Sequence, residues 1–228
     1  MVKAWNKGLT KGTHPSLMKT SVTMKSKKID NFKKWREKQI EKGRFDLAYI
    51  PKNELVAELI GVTLGDGNIA LYPRCERLTI SSHSEAKKFI KRYSDLVEKI
   101  FKKKPSILRT NQKCIRISIY QRAISKRLSI PSGNRSHLTN LIPKWIKQNE
   151  RYIIACLKGL FEAEGSLSVH LSTYTYNFEF RNLNPCLLDF VKNSLEGLRY
   201  HPEIRKTATR LRKKDEVMSF KKLIKFRE

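Results

Sequence analysis

Leu59-Ile60-Gly61-Val62-Thr63-Leu64-Gly65-Asp66-Gly67 and Leu157-Lys158-Gly159-Leu160-Phe161-Glu162-Ala163-Glu164-Gly165 are two copies of one pattern, each closing on an acid followed by glycine. Asp66 and Glu164 stand 98 positions apart, about the span of one small domain. Apolar residues recur at helical spacing from Glu54 into the first copy and from Tyr152 into the second, so both predict helices. Each helix carries small residues at i, i+4 and i+8: Ala57, Gly61 and Gly65 in one, Ala155, Gly159 and Ala163 in the other. That spacing places them on one face. Glycine inside a helix costs roughly 1 kcal/mol relative to alanine. Close approach of a second backbone offsets this, as small-xxx-small stripes do elsewhere. The two helices are therefore expected to pack on each other through these six residues.

Such packing sets Asp66 and Glu164 side by side, with Gly67 and Gly165 expected as helix stops. A carboxylate at a helix C-terminus faces the negative end of the macrodipole, and two carboxylates brought together repel. Bound cations relieve both penalties, and oxygen donors suit Mg²⁺ or Ca²⁺. The alternative is two amphipathic helices that merely end in solvated acids. Two copies with matched stripes favour the paired-acid metal site.

The pair resembles the motifs of the LAGLIDADG homing endonucleases in their single-chain, two-motif form. The likeness is close at 59–67 and 157–165 and looser over about 50–228. It implies an α/β (α+β) fold of two pseudo-symmetric αββαββα halves packed through the motif helices, with antiparallel sheets forming a DNA-binding saddle. It also implies that Asp66 and Glu164 are catalytic acids that hold Mg²⁺, with Ca²⁺ as an ion that binds without supporting cleavage. The backbone carbonyls of Gly65 and Ala163 are implied as further metal ligands. Two departures stand out: Gly65 replaces a frequent alanine, and glutamate replaces aspartate in the second copy. Many members also carry a lysine at the end of the second strand of each half. Here that place falls at His83, and in the second half near Asn182-Leu183-Asn184, where there is no lysine. His83 is thus a candidate to orient water or stabilise charge; the alternative is a polar residue flanking the following helix.

Across 228 residues, Lys and Arg number 48 against 21 Asp and Glu, a net charge of +27. That excess points to a polyanion. No long apolar run or lipidation signal supports a membrane as the partner. The four cysteines lack metal-ligand spacing and predict neither a zinc site nor a disulfide framework. With no signal-peptide pattern, an intracellular, cytoplasmic protein is expected, an organelle being the alternative.

The chain divides by pattern into a basic N-terminal arm (1–46), a first half (51–130), a connection (131–149) and a second half (150–228). The arm holds thirteen Lys/Arg against four Asp/Glu and few aliphatics. Trp5-Asn6-Lys7-Gly8-Leu9-Thr10-Lys11 resembles the start of a nuclease-associated modular DNA-binding motif. Ile29–Lys42 reads as a basic helix with Phe32, Trp35 and Ile40 as apolar contacts, or as a basic tail. In the first half, strands are expected at Asn68–Tyr72, Glu76–Ser82, Ser106–Thr110 and Cys114–Tyr120, with helices at Ser84–Lys102 and Gln121–Leu128. In the second, strands are expected at Leu167–Leu171 and Thr173–Asn182, a helix at Pro185–Leu198, and the last strands within His201–Thr209 and Arg210–Phe220, then a short helical tail, Lys221–Arg227. The longest of these places Tyr174, Tyr176, Phe178 and Phe180 on one face and Thr175, Asn177, Glu179 and Arg181 on the other.

Sheets with one oily face and one polar face can pack helices behind and read DNA in front. Candidate DNA-binding residues are Arg74, Arg77, Thr79 and Ser81; Arg116 and Ser118; Thr175, Asn177, Glu179 and Arg181; and Arg210 and Arg212. The expected function is a monomeric, site-specific double-strand DNA endonuclease of intron-homing type, with double-stranded DNA as target and its host intron RNA as a further partner. An RNA maturase or non-cleaving DNA-binding protein on the same scaffold is the alternative, and a generic basic ribonucleoprotein component a remoter one.

Overall fold

The computed structural model describes residues 5–27, 32–41, 49–110, 113–135 and 137–227. The chain forms two compact units, Met1–Leu47 and Ala48–Glu228.

The first unit holds α1 (Pro15–Ser26) and α2 (Lys33–Glu41). None of the residues of α1 is buried, and its apolar face is faint. Pro15 starts it, at the helix position where a missing N–H costs nothing. Ahead of it, Thr10 and Thr13 tie a turn through their hydroxyls, and Trp5 lies edge-on to His14 at 5.8 Å. α2 falls inside the expected 29–42 helix, with Phe32 and Trp35 exposed. Residues 29–31 and 42, and the side chain of Ile40, lie outside the described residues.

The second unit runs α3 (Glu54–Gly65), β1 (Gly67–Tyr72), β2 (Cys75–His83), α4 (Lys87–Phe101), β3 (Ser106–Arg109), β4 (Cys114–Gln121) and α5 (Ile124–Leu128). A short α6 (Lys144–Lys147) lies in the connection. There follow α7 (Glu150–Glu164), β5 (Gly165–His170), β6 (Thr175–Arg181), α8 (Pro185–Gly197), β7 (Glu203–Arg205), β8 (Ala208–Leu211) and α9 (Lys214–Ile224). Both sheets are antiparallel and share one strand order, β1-β2-β4-β3 and β5-β6-β8-β7. Gly67 pairs with Ile80 in one and Gly165 with Phe180 in the other, so the repeat extends from the helices into strand register.

Asn53 and Asn149 start α3 and α7 by accepting hydrogen bonds from Val56 N and Arg151 N. Between the helices, backbone meets backbone. A Cβ on Gly61 would lie 2.2 Å from the Cys156 carbonyl oxygen, and one on Gly159 2.2 Å from that of Glu58. A Cβ on Gly65 would lie 2.5 Å from Ala163 Cβ. Gly67 and Gly165 owe their identity to space, since neither adopts the left-handed backbone of a glycine helix stop. A Cβ on Gly67 would meet Thr63 Cα at 2.6 Å, and one on Gly165 the Phe161 carbonyl oxygen at 2.3 Å. Each strand therefore leaves its motif helix by folding flat against the last turn.

Three element predictions are corrected. The helix of the first half starts at Lys87, after a turn at 84–86 that hydrogen-bonds Ser84 N to Lys113 O. Tyr174 leaves the oily face of its strand; it is 80% exposed in a left-handed turn conformation. The last strand ends at Leu211, and a helix begins at Lys214, well inside the stretch read as strand. Asp215 and Glu216 suit its N-terminal turn, and Val217, Phe220 and Ile224 bury on one face. Phe220 then joins an aromatic cluster with Phe161 and Phe178 at 5.0–5.5 Å.

Candidate active site and nucleic-acid interface

The close packing of α3 on α7 brings their C-terminal ends together, and Glu164 Cγ lies 3.2 Å from where a Gly65 Cβ would stand. Burial, and then the charge of Glu164, push the Asp66 carboxyl up to about 6. Burial also raises Glu164 above the usual carboxylate range. Gly65 and Ala163 lie in the last helical turns, where carbonyls lack intrahelical donors. No cluster of three or more His, Cys, Asp or Glu able to hold a metal ion occurs among the described residues. The oxygen donors at the two helix ends are two carboxylates and the last carbonyls. That set fits Mg²⁺, which keeps several waters and takes only one or two carboxylates.

A cavity of about 570 Å³ opens beside Asp66, lined also by Ser82, His83, Arg92, Glu162 and Arg227. His83 is exposed at the end of β2 and faces Glu85, whose carboxylate lies 3.9 Å away. It thus shares a cavity with Asp66. Behind the cavity, Arg92 makes a two-pronged ion pair with buried Glu58 at 2.6 and 2.7 Å. The Glu162 carboxylate accepts from Arg227 N at 2.6 Å.

The sheets carry the candidate DNA-binding residues on their faces away from the helices, with exceptions. Arg77, Thr79 and Ser81 stand opposite Tyr120, Ser118 and Arg116. The Arg77 guanidinium lies over Tyr72 and Tyr120 at 5.5 and 5.9 Å. Thr79 is buried and spends its hydroxyl on Ser118 at 3.3 Å. Arg74 sits in the β1–β2 turn, at the tip of the hairpin rather than on its face. In the second sheet Thr175, Asn177, Glu179 and Arg181 share a face with Arg210. Its charges are already paired. Arg181 holds the largely buried Glu179 at 2.7 Å, and Glu203 holds Arg205 at 2.6 Å and Arg210 at 2.9 Å. Arg212, just beyond β8, lies 3.9 Å from the same carboxylate. Hydrogen bonding from Arg210 leads in holding Glu203 down at about 2.

No family model and no curated protein matches the chain. Solved structures do. I-DmoI in complex with DNA and Mn aligns with a TM-score of 0.56 over 75% of this chain and 96% of that one, at 20% identity. The homing endonuclease I-WcaI bound to its DNA recognition sequence aligns at 0.57 over 82% and 86%, at 17% identity. The N-terminal LAGLIDADG domain of DUF199/WhiA aligns at 0.53 over 79% and 85%, at 18% identity. The chain has the LAGLIDADG fold.

Within that fold, the structure brings together residues that sequence patterns do not single out. Strand register makes Ser82 and Asn182 equivalent: Gly67 pairs with Ile80 and Gly165 with Phe180, two residues ahead of each. Ser82 lines the cavity beside Asp66, and Asn182 Nδ2 donates to Glu164 Oε1 at 3.4 Å. Arg135, in the connection, donates through Nη2 to Thr63 O at 2.8 Å and Gly67 O at 2.5 Å. Arg227 donates through Nη2 to Gly165 O at 3.2 Å. Each of the two repeated helix-end stretches thus ends under a guanidinium. No spacing signals this, because 135 and 227 lie in segments without repeat or periodicity.

Proposed function

We propose that the protein is a metal-dependent, site-specific DNA endonuclease that hydrolyses phosphodiester bonds. The observation that carries this reading is the pairing of Asp66 and Glu164 at the ends of two closely packed helices, where partial burial raises both carboxyls and the Glu164 charge raises Asp66 further. Such an arrangement is unfavourable for an apo protein and favourable once a cation is bound. Asp66 and Glu164 would hold Mg²⁺, with the Gly65 and Ala163 carbonyls in reach of the same place. The ion supplies charge neutralisation at the phosphate and a more acidic water. Asp66 and Glu164 would also position a water there, and Ser82 and Asn182 flank the two acids. Sheet residues Arg77, Ser81, Arg116 and Ser118 on one side, and Thr175 and Asn177 on the other, are suited to the major groove. The I-DmoI and I-WcaI complexes with DNA support this reading.

The fold is also found in a WhiA domain, a protein not named as a nuclease. The strand-end places near the acids carry His83 and Leu183 instead of lysine. A non-cleaving DNA-binding protein, or a maturase acting on its intron RNA, is therefore the second reading. Plasmid and duplex cleavage with Mg²⁺ separates them. Asp66→Asn and Glu164→Gln should each lower double-strand cleavage by at least about 100-fold, the scale of losing a main catalytic group, while specific binding is kept. Wild-type cutting by either variant would eliminate the paired-acid site, and binding without cutting by the native protein would favour the second reading.

A further inference from the structure

One line of hydrogen bonds joins the two acids by a route that avoids the helix interface. It starts at Arg135, in the connection, whose Nη2 donates to Thr63 O at 2.8 Å and Gly67 O at 2.5 Å, carbonyls on either side of Asp66. The Arg135 carbonyl in turn accepts from Asn184 Nδ2 at 2.9 Å. Asn184 N donates to Asn182 Oδ1 at 2.8 Å, and Asn182 Nδ2 donates to Glu164 Oε1 at 3.4 Å. The first contacts brace the turn that carries Asp66, and the last touches the Glu164 carboxylate itself. Arg135, Asn182 and Asn184 share the walls of one cavity of about 250 Å³.

Each amide is oriented by its other contact. Asn182 Oδ1 is engaged by Asn184 N, so Nδ2 is the atom left to face Glu164. At 3.4 Å that contact is long, as such contacts commonly are before substrate binds. Asn184 is buried, and its Oδ1 caps α8 by accepting from Cys186 N at 2.8 Å. Its Nδ2 therefore points back to the connection, reaching Leu138 O at 3.3 Å as well as Arg135 O. Arg135 spends Nη2 on two carbonyls and has Nη1 closed to solvent, so it is a brace and not a ligand for substrate. Its charge sits at the negative end of the α3 dipole. The two halves differ here. Among the described residues no side chain hydrogen-bonds the Asp66 carboxylate, and Ser82, the counterpart of Asn182, only lines the cavity beside it. Glu164 has one side-chain torsion more than Asp66, so its carboxylate has more places to go, and a fixed donor selects among them.

We propose that Arg135, Asn184 and Asn182 are positioning residues: together they set the Glu164 carboxylate against Asp66 across the two halves, so the connection governs the spacing of the acids as well as the helix interface does. This inference rests on the endonuclease reading above. None of the three touches DNA or cation. They act through Glu164 and through the turn of Asp66, holding in place the oxygen atoms that would meet an ion. Loss of outer contacts of this kind costs about 10–100-fold in cation affinity or rate.

The test uses the full chain and a target duplex defined by binding-site selection. Ca²⁺ binding to the protein–DNA complex is measured by calorimetry, and cutting is measured with Mg²⁺. Asn184→Ser keeps an oxygen to cap α8 and removes the donor to Arg135 O. Asn182→Ser gives the second half the residue of the first, too short to reach Glu164. Each should weaken Ca²⁺ binding and slow cutting by about tenfold or more, while metal-free DNA affinity and melting temperature stay near wild type. The double variant should lose no more than the worse single variant, because both break one line. Arg135→Lys, which keeps the charge without the fork of donors, should show the same pattern. Should Asn184→Ser fail to fold, Asn182→Ser, at a half-buried position, decides the matter together with Arg135→Lys. Wild-type cation affinity and cutting in the serine variants, or losses that add in the double variant, overturn the proposal and leave the endonuclease reading intact. So does a fall in melting temperature and DNA affinity with cation affinity unchanged, which would make the residues structural. A wild-type protein that binds its target but takes up no Ca²⁺ and cuts neither strand overturns the endonuclease reading, and the proposal with it.

Discussion

Asp66 shows how a single residue is set against its surroundings. Its carboxyl is pushed up to about 6 by burial and by Glu164, against 3.8 in a free side chain. Between these values the folded protein holds a proton that the unfolded chain has released. The favourable contribution is therefore complete below about pH 4 and is lost as pH rises through 6. Two pK units correspond to about 2.7 kcal/mol, and solvent around this exposed carboxylate reduces that to about 1. Asp66→Asn should accordingly raise the melting temperature of the metal-free protein at pH 7.5 by about 2–4 °C and leave it unchanged at pH 4. A gain of the same size at both pH values would mean that charge is not the cause. The same substitution is expected to stop cleavage, so stability and activity should move in opposite directions.

The glycines of the helix pair make the equivalent case for elements. The spacing of Gly61 and Gly159 indicates a shared face, and the structure shows what that face meets: a carbonyl oxygen 2.2 Å from any added Cβ. Backbone on both sides gives no flexible atom to move. Gly61→Ala and Gly159→Ala should each destabilise by about 3 kcal/mol through overpacking, read as a shift in the urea midpoint without a change in slope. Gly197 is the control. It closes α8 with nothing within 4 Å of an added Cβ, so Gly197→Ala should be neutral or stabilise by up to about 1 kcal/mol. Comparable losses at all three sites would speak against backbone contact as the reason for the motif glycines. Periodicity served well for α3, α7 and the strands β2, β4 and β6, whose buried oily residues recur at every second position. It served poorly for α9, where Arg210, Arg212 and six further charges precede or interleave the three residues that bury.

Across the molecule, the charge excess of +27 is unevenly spent. The second sheet neutralises much of its own charge through Glu179 and Glu203, while no acid stands opposite Arg116 in the β2–β4 register. Residues 1–46 carry a net +9, and no residue of α1 is buried. That charge is expected to serve phosphate contacts. Each neutralised duplex phosphate adds about 0.9 to the slope of log affinity against log salt. Deleting residues 1–46 should leave the unit from Ala48 onward folded, weaken DNA binding and lower that slope by about 2 or more. Identical slopes and affinities for both proteins would make the segment a bystander, and loss of the fold would make it structural.

What the chain determines by itself is local and repetitive. Two acids at matched helix ends, small residues every fourth position and alternating strands follow from bonded geometry and side-chain size, which act over a few residues. They are sufficient to place Asp66, Glu164 and the polar sheet faces. Tertiary structure decides which side chains remain free to act. Arg210 looks like an open DNA contact until β7 and β8 lie side by side and bring Glu203 against it. Arg135 and Arg227 carry no pattern at all. They reach Gly67 and Gly165 only because the chain returns from distant segments to the ends of the two motif helices, and such a return depends on the packing of the whole unit rather than on any stretch of sequence.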